Sequence, residues 1–153
     1  MKGTVKFCLA VAFLLITGCG DGSNESAGSR ADGSNGTAVI SVNGVEIEIT
    51  SVSCRAQDST YSVRASGPTH SVEVEYSLIR GEGEEKTFDF SRAAHLEVYA
   101  YREDETVLYR PGAFDPPHNI TGSEAHSTGS ADLARYSDEK DRISVDLDIR
   151  CGG

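Results

Sequence analysis

Positive charge is what this chain has least of. Its 153 residues carry 14 Lys and Arg against 24 Asp and Glu, a formal net charge of −10. A surface this acidic repels phosphate backbones and anionic headgroups, which argues against nucleic-acid binding and against electrostatic docking on a membrane. The same charge also serves as a plain solubility device. No apolar run is long enough to cross a bilayer: Phe7 to Ile16 gives ten residues, where a transmembrane helix needs about 20. No segment carries a helical period, and no internal repeat is visible. The sequence also lacks HExxH, CxxC, Gly-x-Ser-x-Gly, a P-loop and a dinucleotide fingerprint. It therefore names no catalytic residue, no metal ligand set and no cofactor. Groups that converge from separate strands leave no such motif, so a hidden site stays open.

The amino terminus is organised. Lys2 and Lys6 form a short basic start, Phe7 to Ile16 an apolar middle, and Gly18 a small residue before Cys19. That is the layout of a secretory signal. The end of this stretch, Ile16-Thr17-Gly18-Cys19, resembles a bacterial lipobox. The resemblance implies cleavage before Cys19 and a diacylglyceryl group on its sulfur, with the new amine acylated as well. One acyl chain holds a protein marginally, at ~0.8 kcal/mol per buried CH₂, whereas two or more hold it stably. The expected partner of residues 1–19 is thus a membrane, reached through lipid. The expected location is the cell envelope, at the outer membrane if the source has one, because Gly20 rather than Asp follows Cys19. Removing residues 1–18 takes two lysines and no acid, leaving 12 bases against 24 acids, a charge of −12.

Residues 20–37 contain no large apolar side chain and cannot fold alone. Residues 19–37 read as a lipidated cysteine and a linker; eighteen residues of flexible coil span roughly 23 Å. The folded domain is expected over residues 38–153. Cys8 lies in the cleaved segment and Cys19 carries the lipid, so Cys54 and Cys151 remain. In an exported chain that pair reads as a disulfide, which would bring the last strand beside the strand leading to Cys54.

Within the domain the dominant period is two. Asn43-Gly44 is a strong hairpin turn, and counting outward pairs Val42 with Val45, Ile40 with Ile47 and Ala38 with Ile49, all on one face. The apolar frame then shifts to Val52 and Cys54, as a bulge near Thr50-Ser51 would produce. Tyr61, Val63 and Ala65 alternate. So do Val72, Val74, Tyr76 and Leu78, then Leu96, Val98 and Ala100, and finally Ile143, Val145, Leu147 and Ile149. Phe88 and Phe90 suggest a short strand, and Val107 to Tyr109 a return strand after the turn at Glu103 to Glu105. Gly81 to Glu85 and Asp138 to Asp141 read as charged turns. Pro111 to Asn119 cannot be a central strand, and Ile120 to Ala134 is ambiguous. The predicted fold is all-β, an antiparallel β-sandwich or flattened barrel stapled by one disulfide.

This order of parts is similar to the mycobacterial nineteen-kilodalton lipoprotein antigen family: lipobox, Gly/Ser linker, an opening strand pair leading to Cys54, the segment His118-Asn119-Ile120-Thr121-Gly122, and a last strand ending at Cys151. The resemblance implies a β-rich, lipid-anchored surface antigen with a Cys54–Cys151 bridge and no enzymatic role.

His70, His95, His118 and His126 stand in no ligand spacing. Asp146 with Asp148, and Glu73 with Glu75, share outward faces and would suit calcium or acid–base work only in a cleft. Tyr99, Tyr101 and Tyr109 with Phe114 suggest an aromatic patch for a partner or glycan. The expected function is a surface or periplasmic interaction module without catalysis, binding an envelope or host macromolecule. The alternatives are an exported hydrolase or a metal-binding domain whose site has no linear motif.

Overall fold

The computed structural model describes residues 36–80, 86–113, 115 and 118–152. The signal segment, Cys19, most of the linker, residues 81–85, expected as a turn, and Phe114 lie outside the described residues. Eleven strands follow in order: β1 (Thr37–Val42), β2 (Val45–Glu46), β3 (Ser51–Gln57), β4 (Thr60–Ser66), β5 (His70–Arg80), β6 (Lys86–Phe88), β7 (His95–Tyr101), β8 (Thr106–Arg110), β9 (Thr121–Ser123), β10 (His126–Arg135) and β11 (Asp138–Arg150). All pairings are antiparallel, and the main path runs β2-β1-β11-β10-β8-β7-β5-β4-β3, with β6 on β5 and β9 on β10. The fold is all-β, as the alternation predicts.

The sheet folds into two leaves that share one core. One leaf is β3-β4-β5-β7-β8, and the other is β10-β11-β1-β2. Their hydrogen-bonded junction is narrow: β8 meets β10 only through Arg110↔Ala134 and Tyr109↔Arg135. On the far side the sheet does not close. There the disulfide takes over, joining Cys54 on β3 to Cys151 just past β11, with Cα atoms 5.9 Å apart. The chain-entropy model assigns a loop of this length about 4–5 kcal/mol, and the bridge spans 97 residues of sequence.

The inward frames are those the sequence marks. Val63, Val72, Val74, Leu96, Val98, Leu133 and Ile149 are fully buried, each contributing ~1.5–3 kcal/mol of apolar burial. Tyr61, Tyr76, Phe88 and Phe90 cluster at one end, with ring centroids 5.0–6.1 Å apart. The two tyrosines send their hydroxyls across to the other leaf. Tyr76 donates to Ser127 Oγ and Tyr61 to the Glu124 carbonyl. At the leaf junction, Arg102 donates to the Tyr109 hydroxyl, which donates to Asp141, while Arg135 pairs with Glu105 and Asp141. These ion pairs are partly solvated and individually weak.

Four expectations are corrected. The opening hairpin forms its Asn43-Gly44 turn, with φ of 52° and 76°, and Val42 does pair with Val45. Ile47 still bonds the Ile40 carbonyl, but Ile49 never reaches Ala38, because the Thr50 amide is taken by Ser66 on β4. The chain crosses between leaves here, and Glu48 O lies where a Cβ on Gly67 would stand. Val45, at the hairpin tip, is exposed rather than inward. Second, the strand that begins at Lys86 stops at Phe88, and Phe90 sits in a turn. Third, residues 138–141 begin β11; the turn is Tyr136-Ser137, held to β8 by the Tyr136 amide on Leu108 O. The register slips between Ala134 and Arg135 to accommodate it. Fourth, Thr37, expected as the last linker residue, already pairs with Arg150. The ambiguous stretch after Ile120 resolves into β9 and β10.

Candidate functional site

Cys54 and Cys151 are brought together, as the sequence indicates. Cys19 lies outside the described residues. The four histidines are kept apart. His70 contacts the Thr69 hydroxyl, His95 pairs with Glu97, and His126 pairs with Asp148. Burial lowers the pKa of His70. Among the described residues, no group of three or more His, Cys, Asp or Glu side chains is arranged to hold a metal ion. Also among them, no helix is long and apolar enough to cross a membrane.

The carboxylate pairs share outward faces, and Asp146, Asp148 and Glu73 are engaged. Asp148 accepts from His126 and Arg150, at 3.1 and 3.3 Å. Desolvation is the largest single influence and raises its pKa, but the Arg150 and His126 hydrogen bonds and charges together outweigh it and hold the carboxyl below its usual value. Asp146 accepts a long bond from Ser41. Glu73 takes the Arg64 guanidinium at 2.7 Å.

The aromatic patch is smaller than the sequence suggests. Tyr109 is buried, because it shares the inward frame of Val107. Tyr99 and Tyr101 do stand together on the outer face of β7. Tyr101 is 43% exposed, and its hydroxyl meets Ser71 Oγ on β5 at 2.8 Å. Tyr99 donates to Glu97, and that bond, with lesser help from burial, pushes its phenol up to about 12. Register puts Glu97 beside Glu73, and Glu73 beside Arg64. The outer faces of β4, β5 and β7 thus form one polar ladder, Arg64, Glu73, Glu97 and His95, with two tyrosines at its end.

A second feature was not legible as a site: a hollow of about 530 Å³ beneath the turn after β6. Its walls include Ser77, Asp89, Ser91, Arg92, Asp115 and His118. The local sequence builds the turn. Asp89 Oδ1 accepts the Ser91 amide and hydroxyl, at 3.0 and 2.5 Å, a side-chain mimic of a backbone turn. Those two bonds hold the Asp89 pKa below its usual value. Long-range backbone bonds then fix the segment: Asp89 N to Ser77 O, Ala94 N to Glu75 O, Ala93 N to Ile120 O, and Gly122 N to Phe90 O.

The opposite wall is His118. Burial is the main cause that lowers its pKa, and nearby Arg92 adds to it. Its Nδ1 is buried and meets no hydrogen-bond partner among the described residues. The neighbouring Asn119 is seated on β10, its amide 3.1 Å from Ser130 O. Its carbonyl occupies the place a Cβ on Gly129 would take, and Gly129 has φ of 142°. Asp115 is spoken for: Arg142 lies 2.9 Å away and the Gly112 amide 2.7 Å. The Arg142 bond is the largest cause lowering its pKa.

No protein family, curated protein or solved structure matches the chain.

Proposed function

We propose that this chain is a lipid-anchored cell-envelope protein. On this reading acylated Cys19 holds it to a membrane, and the β-domain is a non-catalytic interaction module for an envelope or host macromolecule. The anchor rests on the lipobox-like Ile16-Thr17-Gly18-Cys19 after its short apolar run. One observation supports the module: the outer ladder of β4, β5 and β7, where Tyr99 and Tyr101 stand in hydrogen-bonded positions beside Arg64, Glu73 and Glu97. Tyrosine offers a large amphipathic contact with little side-chain entropy to lose, which is why interfaces use it. Tying the hydroxyls to Ser71 and Glu97 lowers that loss further. The flanking carboxylates suit a partner rich in basic or hydroxyl groups.

Two measurements test the reading. Intact mass of the membrane fraction should show acyl heterogeneity on a chain beginning at Cys19. Cys19→Ser should stay unprocessed, and a processed, water-soluble Cys19→Ser product defeats the anchor. Partner capture from envelope extract should then follow Tyr99→Ala and Tyr101→Ala and ignore single Ala replacements of His70, His95, His118 and His126. Loss of function through one histidine, with folding and export intact, defeats the module.

A further inference from the structure

The hollow beneath the β6–β7 turn presents two opposite charges that do not neutralise each other. Asp89 and Arg92 both line it. The guanidinium helps lower the carboxyl pKa, but less than the Ser91 bonds do. The two side chains form no ion pair with each other. Among the described residues, five other arginines are engaged: Arg64 with Glu73, Arg135 with Glu105, Arg142 with Asp115, Arg150 with Asp148, and Arg110 over the Tyr136 ring. Asp89 is in turn anchored through Oδ1 alone, by Ser91.

The turn cannot relax to bring the two charges together cheaply. Amides on both sides of it are bonded to Ser77, Glu75 and Ile120. At about 530 Å³ the space is within the range of small-molecule sites. A simple anion would satisfy Arg92 but meet Asp89, in a chain of net charge −10. A simple cation would satisfy Asp89 but meet Arg92. A ligand bearing both charges satisfies both.

We propose that the hollow between Asp89, Arg92 and His118 binds a small zwitterion, a free α-amino acid or a compound with the same adjacent ammonium and carboxylate. The ligand ammonium donates to Asp89, and its carboxylate accepts from the Arg92 guanidinium, whose planar fork suits two parallel bonds. His118 forms the opposing wall as a neutral ring at neutral pH, so it adds no charge to the balance. This site is separate from the outer ladder of β4, β5 and β7, and it does not depend on that surface binding anything.

The test is a titration of the full chain, followed by the amide resonances of Ser91, Arg92, Ala93 and His118. The probes are glycine, L-alanine, D-alanine and L-glutamate, with acetate and methylammonium as single-charge analogues. At least one amino acid should give saturable shifts confined to the hollow. Acetate and methylammonium should bind at least about tenfold more weakly, the loss of one charge-assisted contact. Arg92→Gln should weaken amino-acid binding by about tenfold or more. So should Asp89→Asn, but that change also touches the Ser91 turn, so the exposed Arg92 decides. Arg55→Gln, on β3, should change nothing. The proposal is overturned by an absence of saturable shifts with all four amino acids. It is equally overturned by acetate binding as tightly as alanine, or by binding that survives Arg92→Gln.

Discussion

The Tyr76 hydroxyl donates to Ser127 Oγ at 3.0 Å inside the core, with both side chains fully buried. Tyr76 belongs to β5 in one leaf and Ser127 to β10 in the other. Apolar packing alone would let the leaves slide; one buried polar pair fixes their relative position, since breaking it strands two desolvated groups. The space is tight. A Cβ on Gly122 would stand 2.6 Å from that hydroxyl.

This relationship gives a first prediction. Tyr76→Phe leaves the Ser127 hydroxyl buried without its donor and should cost about 1–2 kcal/mol. Ser127→Ala should cost a similar amount by orphaning the phenol. The double variant should lose clearly less than the two together, because no orphan remains. Urea unfolding of the four proteins measures the cycle. Strict additivity would show that the bond does not couple the leaves.

The strands were legible because one face of each is buried and the other solvated. Val72, Val74 and Tyr76, or Ile143 to Ile149, report that directly. Tyr109 is read into the surface patch by its phenol, although its shared phase with Val107 carries the inward signal that the structure follows. The bridge was legible by elimination, since only Cys54 and Cys151 remained. What could not be read was the crossing at residues 47–50. There the local pattern continues a hairpin, but a distant carbonyl, Ser66 O, takes the Thr50 amide. The hollow was hidden for the same reason. Asp89-Phe90-Ser91 carries an Asx-turn signal, yet nothing local says that His118 and Ile120 lie against it.

The bridge carries a second prediction. β3 is an edge strand hydrogen-bonded only to β4 along the sheet path. Cys54→Ala with Cys151→Ala should cost up to about 4–5 kcal/mol. The loss should not be uniform. Amides of β3 should exchange with solvent much faster than those of β5 or β10, because the covalent tie is what seats this edge against the other leaf. Non-reducing peptide mapping establishes the bridge, and hydrogen exchange locates the loosening. Free thiols in the protein isolated from its native source would remove the premise.

A third prediction concerns the outer ladder. The Glu97 carboxylate accepts from Tyr99, and that bond is the largest cause holding the phenol near 12. Glu97→Gln removes the charge and should bring the Tyr99 pKa down towards the usual value near 10. Tyrosine side-chain carbon shifts followed against pH report this residue separately. An unchanged Tyr99 titration would show that burial, rather than Glu97, holds the proton.

The acid side of stability gives the last prediction, and its sign follows from His118. Burial, assisted by Arg92, lowers the imidazole pKa in the folded protein, whereas the unfolded ring titrates near 6.5. Between those two values the unfolded chain binds more protons than the folded one, so stability rises with pH across the window. The contribution is complete above about 6.5 and is lost as pH falls through the folded value. His70, also lowered by burial, acts in the same direction. Asp89 and Asp115 have depressed carboxyl pKa values, and their contributions disappear at lower pH still, below the ordinary carboxylate value of about 3.9. Urea midpoints from pH 8 down to pH 5 should therefore fall in the native chain. The fall should be shallower in His118→Gln and shallower again when His70→Gln is added. Gly129→Ala tests the same wall from behind. Its φ of 142° disfavours any side chain, and its Cβ would meet Asn119 O. That variant should lose more than about 1 kcal/mol at pH 8 and, by pushing Asn119 and His118 outward into water, should flatten the pH slope as well. A Gly129→Ala protein that is destabilised but keeps the full slope would separate the strain at β10 from the burial of His118, and would defeat this account of the acid limb.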